Sequence, residues 1–167
     1  MWQNNQRLKH LRLSHKLIRQ QFFIDVNMIL PVVPYGNSIL RQVSSDITDF
    51  SAISELVDNM WQTMYNSNGI GLAAPQINQS IRLFVIDTTQ IEEYADGIKQ
   101  PFINARILES SQETCKDLEG CLSIPFVRDW VVRPESITIQ YLDENQIQQT
   151  KQFTGLNARV IQHEYDH

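Results

Sequence analysis

The sequence has 167 residues and a formal net charge of −5, with 42% hydrophobic and 20% charged side chains. This length and composition indicate one globular domain with a core of its own. They exclude a collagen-like or low-complexity chain, and no apolar run of 18 residues is present that could cross a membrane as a helix. The two cysteines, Cys115 and Cys121, are too few for a disulfide framework and fit a reducing compartment or a functional thiol.

The first 27 residues differ in charge from the rest of the chain. They hold five basic residues against one acidic residue, a net charge of +4 that leaves −9 for the remainder. We therefore predict a basic N-terminal extension over residues 1–27 and one domain over residues 28–167. Three interpretations of the extension stay open: translated sequence upstream of a true start at Met28, a transit-like leader to an organelle, or a native extension. The acidic balance of the domain argues against nucleic acid as its partner, because phosphate binding needs clustered lysine and arginine.

An amphipathic helix is the first element predicted within the domain. Apolar side chains recur there with the spacing of one helix face, at Ile53, Leu56, Val57, Met60, Trp61 and Met64. Asp49 or Ser51 would be the N-cap residue, and Asn68-Gly69 would end the helix.

Segments rich in β-forming residues follow this helix. We predict strands near residues 81–86, 102–108, 130–133, 137–141 and 147–153. A second helix is predicted from about Leu156 to His167. The order of helix, strands and helix favours an α+β fold, with antiparallel or mixed β-sheets packed around the C-terminal helix.

The C-terminal helix carries an HExxH pattern, His163-Glu-Tyr-Asp-His167. Residues i and i+4 share a helix face, so both imidazoles can reach one metal ion while Glu164 can contact water bound to the metal. A catalytic site usually has three protein ligands, and the sequence ends at His167, so the third ligand would come from upstream. Thiolate and imidazole are the natural donors, and carboxylates are weaker alternatives.

Cys121 is the candidate for the third ligand. It lies in Glu119-Gly-Cys-Leu-Ser-Ile-Pro125, where glycine and proline can bend the backbone and direct the thiol. The alternative is a small buried cysteine with no role at the site. The two histidines favour the ligand interpretation. Cys115 has polar neighbours and no turn residues, so we predict that it is structural or exposed.

Gly69-Ile-Gly-Leu-Ala-Ala-Pro-Gln76 is a third segment of interest. Its two glycines allow the backbone to approach another group closely, although a loop that ends the preceding helix is the simpler interpretation. The amide of Gln76 can donate a hydrogen bond to a developing oxyanion.

These three segments resemble the signature motifs of the peptide deformylase family and occur in the family's order, within residues 28–167. The resemblance implies a metal-dependent hydrolase that removes the N-formyl group from the formyl-methionine of newly made polypeptides and releases formate. A zincin-like metallopeptidase is an alternative use of the same helix, and a non-catalytic fragment that keeps the fold is another.

The resemblance also implies roles for individual residues. One divalent metal ion, usually Fe²⁺ but also Zn²⁺, Ni²⁺ or Co²⁺, would be bound by Cys121, His163 and His167. The catalytic groups would be the general acid/base Glu164 and two oxyanion donors, Gln76 and the backbone N–H of Leu122. Glu119 would pair with a later arginine, which Arg133 could supply. The methionine pocket would be lined by Ile70, Gly71, Leu156 and Val160.

The implied partners are N-formylmethionyl nascent polypeptides at the ribosome, with no nucleic acid bound by the domain itself and no membrane. The implied location is the bacterial cytoplasm, or an organelle if the extension is a transit peptide. The family normally continues beyond the second histidine. We therefore expect a chain that ends at His167 to be truncated at its C-terminus and to bind the metal more weakly than a longer one.

Overall fold

A computed structural model describes residues 28–167, so the predicted basic extension lies outside the described residues. Two α-helices and seven β-strands form this described part of the chain. The helices are α1 (Ile53–Asn66) and α2 (Gly155–Tyr165). The strands are β1 (Gly71–Ala73), β2 (Leu83–Asp87), β3 (Lys99–Ser110), β4 (Thr114–Cys121), β5 (Ile124–Pro134), β6 (Ser136–Leu142) and β7 (Gln148–Thr154). Within residues 28–167, no helix is both long enough and apolar enough to cross a membrane.

The strands form two antiparallel sheets. A five-stranded sheet has the order β1-β2-β3-β6-β7, and β4 and β5 form a separate two-stranded hairpin. Among the described residues, parallel pairing is limited to one isolated bridge between Ser45 and Ile81. The predicted α+β class is therefore observed, with antiparallel rather than mixed sheets.

The five-stranded sheet lies between the two helices. Every residue of β2 is buried, as expected for a central strand covered on both faces. Alternate residues of a strand point to opposite faces, so Phe84 packs in the cluster that contains α2, and Val85 in the cluster that contains α1. Phe102 and Tyr141 continue the first cluster as an aromatic pair with ring centroids 4.5 Å apart. This packing holds α2 across the sheet and brings its C-terminal end toward β1.

The start of α1 differs from the prediction, and its end agrees with it. The N-cap is Ala52, which makes no capping side-chain bond, so the predicted caps Asp49 and Ser51 were wrong. The Asp49 carboxylate instead accepts the backbone N–H of Ser51 at 2.9 Å. At the other end, Asn68 has a left-handed φ of 53°, and the Gly69 N–H donates to the Met64 carbonyl. This is the bonding pattern that commonly ends a helix, with asparagine in the left-handed position.

Two strands of the structure were not predicted from the sequence, and the second helix is shorter than predicted. The segment Gly71–Ala73, interpreted as a loop, is strand β1, and Thr114–Cys121 is strand β4. Helix α2 ends at Tyr165, so His167 lies just beyond the helix rather than in its last turn. The five predicted strands correspond to β2, β3, β5, β6 and β7.

Candidate metal centre

Three potential ligands converge where the β4–β5 hairpin meets the end of α2. Cys121 is the last residue of β4, His163 lies in α2, and His167 follows α2. Their ligand atoms all lie within 4.8 Å of one another, and the Cys121 Sγ is 3.3 Å from the His167 Nε2. The two imidazole rings are 5.5 Å apart between centroids. Elements distant in sequence thus bring one sulfur and two ring nitrogens to a single point.

The turn between β4 and β5 directs the Cys121 thiol. Leu122 and Ser123 form this turn, and the backbone N–H groups of Ser123 and Ile124 donate to the sulfur. Burial raises the pKa of the Cys121 thiol, with a further contribution from the nearby Glu164, while the Ser123 and Ile124 hydrogen bonds act against this rise. A cation at this point would favour the thiolate, which is the form that binds metals.

Glu119 orients His163 from the opposite side of the ring. The His163 Nδ1 lies 2.9 Å from the Glu119 Oε2, so Nδ1–H donates a hydrogen bond to the carboxylate. The lone pair of Nε2 is then free to bind a metal ion. A carboxylate behind a ligating histidine fixes the tautomer and the ring orientation. The resemblance gave Glu119 a partner in Arg133, and that pair is present at 2.8 and 3.0 Å. The contact between Glu119 and His163 was not predicted.

Two arginines stabilise the negative charge of Glu119. Besides Arg133, the Arg159 Nη1 donates to the Glu119 Oε1 at 2.6 Å. Burial alone would raise the pKa of Glu119, but hydrogen bonds from Arg133, His163 and Arg159 outweigh it and lower the pKa to about 2. Glu119 is therefore ionised at neutral pH and acts as an acceptor only.

Glu164 lies beside the potential ligands, and one of its carboxylate oxygens has no partner in the described part of the chain. It is 6% exposed, and its Oε2 is a buried oxygen with no hydrogen-bond partner among residues 28–167. Burial raises the pKa of Glu164 to about 8, with a smaller contribution from the negative charge of Glu119. Gly71 makes room for this carboxylate, since a Cβ atom at that position would overlap it. A buried carboxyl group without a partner is costly, which suggests that it serves a bound group or a reaction.

His167 is half-buried, like His163. Burial, followed by the proximity of His163, lowers the pKa of His167 to about 4. The ring is therefore neutral at pH 7, as a metal-ligating imidazole must be.

Gln76 lies beside the Cys121 sulfur. It is 1% exposed, and its Oε1 accepts the Ala73 backbone N–H at 2.8 Å, which points the amide NH₂ toward the site. The Gln76 Nε2 is 3.5 Å from the Cys121 Sγ and 3.3 Å from the Ser123 Oγ. Ser123 was not singled out from the sequence, although it lies in the same motif as Cys121.

An open cleft of about 1140 Å³ runs along these residues. Its lining includes all four predicted pocket residues together with two of the potential ligands and both predicted catalytic side chains: Ile70, Gly71, Leu156, Val160, Cys121, His163, Gln76 and Glu164. Leu122 also lines the cleft, and its side chain packs against Gly69. Cys115 is not part of this lining, and its sulfur lies 3.0 Å from the Arg159 Nη2.

These residues fit a divalent transition metal. One thiolate and two imidazoles leave a position open for water, which is the arrangement of catalytic rather than structural sites. The buried Glu164 oxygen without a partner lies at the same point. A carboxylate so placed can accept a proton from water, and the Gln76 amide can stabilise a negatively charged oxygen.

Comparison with known proteins agrees with this geometry. The family model described as polypeptide deformylase matches residues 29–167. A peptide deformylase of Flavobacterium johnsoniae is 48% identical over 151 residues, which span 84% of this chain and 77% of the relative. A peptide deformylase of Chlorobium phaeovibrioides is 43% identical over 141 residues, or 84% of this chain and 74% of the relative.

Solved structures give the same result. The class I type b peptide deformylase of Acinetobacter baumannii, bound to Met-Ala-Ser, superposes with a TM-score of 0.79 at 33% identity and covers 84% of this chain and 93% of that chain. Peptide deformylase from Thermotoga maritima gives a TM-score of 0.74 at 32% identity, over 83% of this chain and 90% of that chain.

Proposed function

The chain belongs to the polypeptide deformylase family, and from this premise we propose how its residues carry out the reaction. It is an enzyme, a metal-dependent hydrolase that removes the N-formyl group from the formyl-methionine of new polypeptides and releases formate. The alternative of a zincin-like metallopeptidase receives no support from the relatives reported above. The observation that carries the residue roles is the convergence of Cys121, His163 and His167 beside the buried carboxylate of Glu164.

Cys121, His163 and His167 would hold the metal. Fe²⁺ is the ion we propose for the native enzyme, with Zn²⁺, Ni²⁺ and Co²⁺ able to take its place, because thiolate and imidazole donors suit all four. A divalent metal supplies Lewis-acid chemistry here, in that it acidifies water and polarises a carbonyl oxygen. Glu119, held by Arg133, keeps the His163 ring in the orientation that presents Nε2.

Glu164 would be the general acid/base. Burial raises the pKa of Glu164 to about 8 in the absence of a metal ion, and a divalent cation at the neighbouring ligands would lower that pKa. A group with a pKa close to the working pH can both accept and donate a proton. Glu164 would take the proton of the attacking water and pass it to the nitrogen of methionine as the C–N bond breaks.

Gln76 and Leu122 would stabilise the charge that develops on the formyl oxygen. The Gln76 amide is fixed by its bond to the Ala73 N–H, so it needs no reorganisation as the reaction proceeds. The backbone N–H of Leu122, in the turn after Cys121, would be the second donor. Two fixed donors in a buried site act more strongly than the same groups in water.

The methionine side chain would occupy the apolar part of the cleft. Ile70 and Gly71 form one wall beside β1, and Leu156 and Val160 of α2 form another. An unbranched thioether side chain fits such a surface through dispersion and burial. Ile70, Gly71, Leu156 and Val160 would therefore select substrates by their first residue.

Nascent formylated polypeptides are the natural source of this substrate, and we propose that the enzyme meets them at the ribosome in the bacterial cytoplasm. The relatives reported above are bacterial, and none of them supports an organellar location. The domain itself needs no contact with nucleic acid for the reaction, since the groups assigned above lie in the cleft or among the proposed metal ligands.

Substrate discrimination tests the proposed function directly. Purified enzyme loaded with Zn²⁺ or Co²⁺ is given formyl-Met-Ala-Ser and, in parallel, acetyl-Met-Ala-Ser, and formate, acetate and free amine are measured. We expect formate and Met-Ala-Ser from the first peptide and no product from the second. Cleavage after the first residue would indicate a peptidase, and no reaction with either peptide would contradict the proposal.

A further inference from the structure

Arg159 is a buried cation to which the proposed mechanism assigns no part. It lies in α2, one helical turn before His163, and is 6% exposed. Residues i and i+4 share a helix face, so the guanidinium and the His163 imidazole both face the β4–β5 hairpin. An arginine is rarely buried unless its charge is paired, so its partners indicate its role.

The partners of Arg159 come from both strands of the hairpin. Its Nη2 donates to the Cys115 carbonyl at 2.9 Å and to the Cys115 Sγ at 3.0 Å, on β4. Its Nη1 donates to the Val131 carbonyl at 3.1 Å, on β5, and to the Glu119 Oε1 at 2.6 Å. The rigid guanidinium fork therefore fixes Glu119 relative to helix and hairpin at the same time.

Among residues 28–167, Glu119 is the one side chain that hydrogen-bonds both to this fork and to a proposed ligand. Its Oε1 accepts hydrogen bonds from Arg159 and from the Arg133 Nε, and its Oε2 accepts from the Arg133 Nη2 and the His163 Nδ1. Two arginines acting at Oε1 restrict the rotation of the carboxylate. The position of Oε2, and with it the orientation of the His163 ring, follows from that restriction.

Arg133 alone would hold Glu119 less firmly. Its Nη1 also donates to Asp166, a carboxylate that is 65% exposed, so Arg133 is shared between two acids. Among residues 28–167, Arg159 has Glu119 as its one carboxylate partner, and the two side chains are only 8% and 10% exposed. The Arg133–Glu119 pair is almost as buried and is bidentate, but Arg133 divides its charge between two acids, whereas Arg159 directs its charge to Glu119 alone.

We propose that Arg159 is a positioning residue: it fixes the Glu119 carboxylate, which in turn holds the His163 ring for metal binding. The inference rests on the proposed function, because it treats His163 as a ligand. Loss of an outer-shell partner of a ligating histidine typically weakens metal binding by about 10–100-fold. A purely structural role would lower the stability of the fold without changing the affinity or the geometry of the metal site.

The test compares Arg159→Met with the full 167-residue chain and with a matched control. Arg82→Met is the control, because Arg82 also joins a carboxylate, Asp46, to backbone carbonyls but makes no hydrogen bond to any of the three proposed ligands. The readouts are the Zn²⁺ dissociation constant from chelator competition, the visible absorption of the Co²⁺-loaded protein, and kcat and KM for formyl-Met-Ala-Ser. Thermal unfolding of each variant without metal reports stability separately.

We expect Arg159→Met to weaken Zn²⁺ binding about 10–100-fold, to shift the Co²⁺ absorption bands, and to lower kcat more than it raises KM. Arg82→Met should lower stability without any of these changes. Cys115→Ala, which removes one contact of Arg159 but leaves Glu119 in place, should bind Zn²⁺ like the original chain. Unchanged affinity and spectrum in folded Arg159→Met would overturn the proposal.

A double-mutant cycle decides whether Arg159 acts through Glu119, and it also covers the case in which Arg159→Met does not fold. Arg159→Lys keeps the charge but cannot span Glu119, Cys115 and Val131 together. We expect it to weaken Zn²⁺ binding in the original chain and to have no further effect when combined with Glu119→Gln. Equal losses in both backgrounds would refute positioning through Glu119. Formate release by the original chain tests the proposed function independently, because the affinities are measured without substrate.

Discussion

Helices α1 and α2 pack on opposite faces of one sheet, yet they bury different kinds of side chain. The buried residues of α1 are mainly apolar: Val57, Met60, Thr63 and Met64. Those of α2 include four polar or charged side chains, Asn157, Arg159, Gln162 and Glu164. The first helix is held by the volume and shape of its apolar face, and the second by hydrogen bonds that each require one particular partner.

Three of the buried polar groups of α2 are satisfied, and one has an oxygen that is not. Asn157 accepts from the Thr88 hydroxyl at 2.6 Å, and Gln162 donates to the Pro134 carbonyl at 3.0 Å. Arg159 has the partners described above, whereas the Glu164 Oε2 has none among residues 28–167. An unsatisfied buried polar group costs about 1–3 kcal/mol. The helix thus gives up stability at the position where the proposed chemistry requires a free carboxylate.

The largest effect should come from the proposed ligand on the β4–β5 hairpin, Cys121. Cys121→Ala should remove the metal and with it all turnover, because two imidazoles alone do not complete the site. Cys115→Ala should keep both, since the Cys115 sulfur contacts Arg159 rather than the ligands. Metal content per chain and formate release are measured on both variants. Equal metal content in the two would show that Cys121 is not a ligand.

Glu164→Gln should separate chemistry from metal binding within α2. The amide keeps the shape of the side chain against Gly71 but cannot accept a proton, so we expect kcat to fall by about 10²–10⁴. The metal should remain bound at the level of the original chain. Turnover near the original rate in the metal-loaded variant would remove Glu164 from the mechanism.

Gln76→Ala should have an effect of intermediate size. Loss of one oxyanion donor lowers kcat by about 10²–10³ when the donor is preorganised. Gln76→Glu is the matched comparison, because it keeps the volume and the acceptor for the Ala73 N–H but replaces the donor. Both variants should lose kcat with little change in KM, as measured by steady-state formate release. A normal kcat in either would contradict the oxyanion role.

Met64→Ala, in α1, should lower the stability of the fold without changing catalysis or metal binding. Met64 is completely buried against the sheet, and truncation of such a side chain costs about 2–5 kcal/mol of the free energy of unfolding. Met64→Leu conserves volume and should cost less than about 1.5 kcal/mol. Denaturant unfolding measures both. At temperatures where each variant is folded, kcat and metal affinity should not change. A large loss of metal affinity would show that the two faces of the sheet are coupled.

Removal of residues 1–27 should have the smallest effect. We predict that a chain beginning at Met28 matches the longer chain in kcat/KM, because every residue assigned to the cleft lies after Met28. Parallel kinetic measurements on the two proteins provide the check. A large loss would mean that the extension contributes to the domain, and the predicted boundary would be wrong.

How well the sequence predicts each helix also depends on whether apolar spacing or particular polar contacts define it. The apolar spacing of α1 was sufficient to predict it, and its start at Ile53 agrees with the stripe. Its N-terminal cap was predicted wrongly, because Asp49 bonds to Ser51 in the preceding turn instead of to the helix. The spacing of His163 and His167 predicted that the two side chains meet, even though the helix ends at Tyr165.

The burial of Arg159 and the strand β4 could not be predicted from the sequence, because both depend on partners elsewhere in the chain. A buried arginine resembles a surface arginine until its partners are known, and those partners lie on a hairpin distant in sequence. Strand β4 has few fully apolar positions, so neither alternation nor a hydrophobic run marks it. Its identity as a strand depends on pairing with β5 across residues such as Leu118 and Trp130.

The exposure of the β4–β5 hairpin has a consequence for the lifetime of the bound metal. Most residues of both strands are exposed or half-buried, whereas every residue of β2 is buried. Amide protons of β2 should therefore exchange with solvent only on global unfolding, while those of β4 and β5 exchange through local opening at lower free energy. Cys121 lies on the hairpin and both histidines lie outside it. The rate at which a chelator extracts the metal should accordingly follow the opening rate of the hairpin, and it should exceed the unfolding rate of the domain.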